Sequence, residues 1–159
     1  MVMEVASLLD TILASMKKSQ TLLLLVLLDY VAATLYEDCG SVARIVRVDI
    51  EDCILPPCHV TRPDIQDVNI TFSPLDVVQK FDATLDARID GIHFPWPGPG
   101  GCKLLVDGEC PLEANGTYLY HAVMPVLKEY PALSVYVTWI IRDNQGLNQV
   151  CISFPVIIS

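Results

Sequence analysis

The chain has 159 residues, 52% of them hydrophobic, and a formal net charge of −9 from 19 acidic against 10 basic side chains. That length gives one domain with room for a real core. The acidic balance excludes a nucleic-acid partner and a membrane surface held by clusters of Lys and Arg.

Lys17 and Lys18 precede the apolar run 22–28, and Val31, Ala32 and Ala33 supply small residues for cleavage. This pattern reads as a secretory signal peptide over 1–33, with Met16 a natural start and 1–15 an upstream extension. Seven apolar residues ended by Asp29 fall short of the roughly 20 that a membrane span needs. Cleavage after Ala33 removes Glu4, Asp10, Lys17, Lys18 and Asp29, so 34–159 keeps 16 acidic and 8 basic residues. All six cysteines lie in that part. In a secreted chain they read as three disulfides rather than a metal site, and their spacing alone leaves the pairing open.

The first strand pattern falls in 38–50, where Val46, Val48 and Ile50 alternate with Arg47 and Asp49. Cys53-Ile-Leu-Pro-Pro-Cys58 comes next as a tight turn, because Pro56-Pro57 forbids regular pairing. The segment 67–72 alternates most cleanly, with Val68, Ile70 and Phe72 inward and Asp67, Asn69 and Thr71 outward. The pattern returns over 83–92, with Leu85, Ala87 and Ile89 on one face.

Then comes the stretch 91–110. Pro95, Pro97 and Pro99 remove backbone donors at every second position, which rules out a helix or an interior strand. Phe94 and Trp96 stand between these prolines, while Gly98, Gly100 and Gly101 bend the chain before Cys102. A stiff aromatic lip of this kind belongs at the edge of a fold. It is either the mouth of an apolar cavity or a plug over a filled core.

Two further strands occupy 117–124 and 133–141, the second with Val135, Val137, Trp139 and Ile141 on one face. Asp143-Asn-Gln-Gly146 is a hairpin turn, and 149–158 returns with Val150, Ile152, Phe154, Val156 and Ile158. About seven short strands with no amphipathic helix after the leader make an all-β, antiparallel β-sandwich.

No nucleophile elbow, zinc-binding helix motif, phosphate loop or dinucleotide fingerprint is present, so neither catalysis nor a cofactor is expected. The acidic residues occupy outward phases and turns. His59, His93 and His121 are scattered and read as surface or rim residues rather than ligands; His93, beside Phe94, is the one to watch for a response to endosomal acidity. Asn69-Ile-Thr71 and Asn115-Gly-Thr117 are glycosylation sequons.

Taken together, these residues carry a resemblance. They are Asp38-Cys39-Gly40-Ser41-Val42, Cys53-x4-Cys58, Asn69-Ile70-Thr71-Phe72, Phe94-Pro95-x-Pro97, Gly101-Cys102-Lys103, Cys110-Pro111 and Tyr118-x-Tyr120. Met124-Pro125-Val126-x-x-Glu129-Tyr130-Pro131, and Trp139 twelve residues before Cys151, are the most specific. The set resembles the ML (lipid-recognition) domain family, nearest its soluble sterol carriers. The resemblance implies an immunoglobulin-like sandwich whose sheets hold a lipid between them. It implies disulfides Cys39–Cys151, Cys53–Cys58 and Cys102–Cys110, and a mouth lined by Phe94, Val126 and Tyr130, with Pro95 and Trp96 on the lip. It favours the cavity over the plug.

The expected partner is a sterol or other hydrophobic lipid, passed to a membrane sterol transporter by a secreted or lysosomal monomer. Trp96 stands where such carriers have a smaller aliphatic residue, Ile152 where they have Trp, and the 102–110 loop is longer by two. These departures reshape the mouth. A fatty-acid or semiochemical carrier and an immune co-receptor that binds bacterial lipid are the alternatives within the family. A ligand-free adhesion sandwich is the alternative outside it.

Overall fold

The alternating patterns fold as strands because each buries one face and exposes the other. The computed structural model describes residues 33–98 and 100–159. The leader with its 1–15 extension, as far as residue 32, and Pro99 of the lip lie outside the described residues. Nine strands form among them: β1 Glu37–Asp38, β2 Arg44–Ile50, β3 Cys58–Val60, β4 Asp64–Ser73, β5 Phe81–Ile89, β6 Ile92–Pro97, β7 Tyr118–Val126, β8 Leu133–Asp143 and β9 Asn148–Ile158. A single 3-10 turn spans Cys102–Leu104. No helix among the described residues is long and apolar enough to cross a membrane.

The larger sheet runs β1-β9-β8-β5-β6, with β3 also joined to β9, and the smaller runs β2-β4-β7. All pairs are antiparallel except β3 with β9. Val68, Ile70 and Phe72 of β4 are buried against Trp139, Ile141, Val150, Ile152 and Phe154 of β8 and β9. The sequence expectation of an antiparallel two-sheet sandwich therefore holds, with two strands beyond the expected seven. These are β1 and β3, only 2 and 3 residues long, too short for any periodicity to announce.

Two strand readings need correction. The pattern over 38–50 does not run unbroken, and Val46 is 52% exposed rather than inward. The pairing of β2 with β4 shifts register between Ile45 and Arg47. One extra residue there turns Val46 over while leaving Val48 and Ile50 buried. The pattern over 83–92 also breaks, at Asp90 and Gly91, whose φ angles are 49° and 83°. Two positive φ values in a two-residue loop are what a tight hairpin needs, and Asp-Gly supplies them.

That hairpin makes the lip an edge strand: β6 pairs only with β5, Phe94 opposite Ala87 and Trp96 opposite Leu85. The Gly98 N–H donates to the Ala83 carbonyl at 3.0 Å. Backbone groups of the even residues thus face β5, and those of Pro95 and Pro97 face outward, where a missing N–H leaves the pairing intact. The chain then presses against β5. A Cβ on Gly98 would lie 2.6 Å from the Ala83 carbonyl oxygen, and one on Gly101 only 1.6 Å from that of Phe81. No other residue fits at either position.

Three disulfides close the frame: Cys39–Cys151, Cys53–Cys58 and Cys102–Cys110, with Cα separations of 5.0, 5.1 and 5.8 Å. At the predicted 143–146 hairpin, the Asp143 carboxylate accepts hydrogen bonds from the Gln145 and Leu147 N–H groups and from the Gln149 amide.

Candidate functional site

One end of the sandwich is filled by aromatic rings. Phe72 meets Phe81 with centroids 6.1 Å apart, Phe81 meets Tyr120 at 6.2 Å, and Tyr120 meets Trp139 at 6.2 Å, all edge to face. Trp139 ends this series and also forms part of the wall of a cavity of about 310 Å³ between the sheets. Its indole N–H, fully buried, makes no hydrogen bond of normal geometry. It lies near enough to Tyr120 to favour ionisation of the phenol slightly, but burial dominates and pushes Tyr120 well above the usual tyrosine value.

The inward phases of β4, β5, β8 and β9 supply much of the cavity wall. Leu85, Ala87 and Ile89 come from β5, Val135 and Val137 from β8, Phe154 and Val156 from β9, and Val68 from β4. Among the described residues, no Lys, Arg, Asp or Glu lines it. A volume of about 310 Å³ is at the small end of the roughly 300–1,000 Å³ found for small-molecule sites.

The lip residues meet at one side of this cavity. Phe94 and Trp96 line it and remain 47% and 49% exposed, so they belong to a rim rather than a core. Val126, the last residue of β7, lines it and is buried. Tyr130, on the loop after β7, packs edge-on against Trp96 with centroids 5.8 Å apart. That loop is tied down by Arg62, whose guanidinium donates to the Tyr130 and Ser159 carbonyls. Burial, with Glu129 adding to it, raises the Tyr130 phenol above its ordinary value.

Four of the five predicted lip and mouth residues thus come together around one cavity. Pro95 does not line it. Alternation is the reason: Phe94 and Trp96 take one face of β6, and Pro95 takes the other. His93 shares that outer face, where its Nδ1 lies 2.5 Å from the Asp86 carboxylate. The pair belongs to a polar depression bounded also by Glu37, Arg88 and Tyr136, separate from the apolar cavity. His121 pairs with Asn69 instead, its Nδ1 2.9 Å from the Asn69 side-chain oxygen.

Two cavity residues, Val60 and Gln66, lie outside every stretch that the sequence reading names, since it starts the β4 pattern at Asp67. Carrying the inward phase of Val68, Ile70 and Phe72 back by two reaches Gln66, and Gln66 lines the cavity. Its carboxamide is the polar group that the inward phase of β4 brings to the cavity wall.

Comparisons with known proteins agree with this geometry. The family described as ML domain matches residues 33–158. A protein of Danio rerio, NPC intracellular cholesterol transporter 2, is 37% identical over 139 residues, which are 82% of this chain and 92% of that protein. Among solved structures, a Niemann-Pick type C2 protein from Japanese carpenter ant superposes with a TM-score of 0.68 at 26% identity. That match covers 79% of this chain and 99% of the ant protein. Chicken MD-1, solved in complex with lipid IVa, shares the fold at a TM-score of 0.50 and 16% identity, covering 76% of this chain and 85% of its own.

Proposed function

Because this chain belongs to the ML domain family, we propose that it is a lipid carrier, enclosing a sterol-like lipid between its sheets and handing it on without covalent chemistry. The observation that carries this reading is the uncharged cavity of about 310 Å³, walled by both sheets and rimmed by half-exposed aromatic rings. Burying a few hundred Å² of apolar ligand surface supplies on the order of 10 kcal/mol gross, before the cost of association is subtracted. A transporter named for cholesterol at 37% identity makes a sterol the first ligand to test.

Mass spectrometry of lipids that co-purify with the secreted protein is the direct test. We expect a neutral lipid in near-stoichiometric amount. Protein recovered without lipid, and taking up none from vesicles that contain cholesterol, would refute the carrier reading. The immune co-receptor alternative needs cations for the phosphates of a bacterial lipid, and no Lys or Arg lines this cavity.

The carrier reading includes a route. Residues 1–33 serve as a secretory leader, the mature chain works outside the cell or in the lysosome as a monomer, and a membrane sterol transporter receives the lipid. Secretion brings an expected modification. Asn69 lies on the outward phase of β4, its side-chain oxygen engaged by His121 and its amide nitrogen without a hydrogen bond. Asn115 is exposed in a turn, with φ of 60°. Enzymatic deglycosylation should therefore lower the mass of the secreted protein and convert Asn69 to Asp. An unmodified Asn69 in that product would count against Asn69 as a glycan acceptor on the outward phase of β4.

A further inference from the structure

We propose that Gln66 reads the head group of the ligand, selecting lipids that carry one neutral hydroxyl. This deepens the carrier reading and rests on it. Gln66 sits on β4 opposite Met124 of β7, two pairs in from the strand end where Asp64 pairs with Val126. It is therefore near the Val126 side of the mouth, while Trp139 packs against Tyr120, whose partner Ile70 lies four residues further along β4. Its carboxamide makes a single long hydrogen bond, Nε2 to the Ile65 carbonyl at 3.4 Å, and its side-chain oxygen accepts none.

A carboxamide both donates and accepts, which matches a hydroxyl, itself a donor and an acceptor. A carboxylate or phosphate placed there would be withdrawn from water with no cation in the wall to answer it. The buried Trp139 indole can only donate, and the one side-chain hydroxyl among the described lining residues is on Tyr130. It belongs to the rim, where water competes for it. The arrangement thus orients a ligand with its hydroxyl at Gln66 and its apolar body toward Trp139.

The test uses the full secreted chain, stripped of lipid, with dehydroergosterol fluorescence as reporter. Cholesterol, 5-cholestene (the same skeleton without the hydroxyl), oleyl alcohol and oleate serve as competitors. Wild type should prefer cholesterol to 5-cholestene by about tenfold, the worth of one satisfied hydrogen bond, and oleyl alcohol should outcompete oleate. Gln66→Leu should reduce the sterol preference to within about twofold by weakening cholesterol alone. Gln66→Met, closer in shape, repeats the test should the leucine variant fold poorly, and thermal midpoints are measured for both.

Folded variants that keep the wild-type preference would overturn the assignment to Gln66 and leave the carrier reading standing. So would oleate outcompeting the alcohol on wild type. A wild-type protein that binds none of the four, nor the reporter, would bring down the carrier reading and the assignment with it.

Discussion

Replacing Cys39 and Cys151 together by alanine should lower the unfolding free energy by about 5 kcal/mol, the entropy released when so long a loop is opened. The two cysteines are 112 residues apart, whereas the Cys53–Cys58 and Cys102–Cys110 bridges span 5 and 8. On the same argument each short bridge contributes about 2–3 kcal/mol. The long bridge also anchors the shortest strand. β1 pairs with β9 only at Glu37–Ser153 and Asp38–Ile152, and the Cys39 N–H donates to the Cys151 carbonyl beside them. Urea unfolding of the three double variants checks the ranking. Equal losses across all three would show that loop closure in the unfolded chain is not what the bridges supply.

The second large effect concerns the mouth. Val126→Phe should abolish sterol binding by setting a ring where Val126 now lines the opening, with little change in fold. Phe94→Ala should weaken binding by about 1–3 kcal/mol, the aromatic area withdrawn from the ligand. Its thermal midpoint should barely move, because Phe94 is 47% exposed and has few core neighbours to lose. A phenylalanine buried in a core would instead cost about 3–5 kcal/mol of stability on the same truncation. Sterol titration and thermal melts on both variants separate the cases. Intact affinity with a large fall in midpoint would mean that the lip closes a core and serves no ligand.

The sheets were legible where a strand has one wet and one dry face for several residues. β4 is the clearest instance: Val68, Ile70 and Phe72 could be assigned inward from alternation alone. The lip was legible as an edge because proline removes donors, a local property that no tertiary contact can restore. The disulfide pairing came from the family resemblance, since spacing cannot say that Cys39 will meet Cys151 across the whole chain.

What stayed hidden had physical causes. β3 is three residues long and forms only because β9 passes beside it in parallel. The register shift that turns Val46 outward depends on the partner strand, not on β2 itself. Asp90-Gly91 was a readable hairpin signal, masked because the alternation continues through it to Ile92. Gln66 lies one residue before the stretch over which alternation is read. It becomes notable only once it is known to line a cavity whose one side-chain hydroxyl is on Tyr130 and whose buried Trp139 indole can only donate.

The outward row of β6 has one further consequence. A sheet edge next to an apolar opening is the place where a second chain, folded or unfolded, could add a strand and start a chain of such additions. Such growth needs a ladder of donors along the edge. Here Pro95 and Pro97 occupy two of the outward positions, and His93 retains the remaining N–H. A lone N–H cannot register an incoming strand. The lip can thus hold exposed aromatic rings at a mouth without offering its edge for self-assembly, and the same prolines that stiffen it keep concentrated protein from templating its own aggregation.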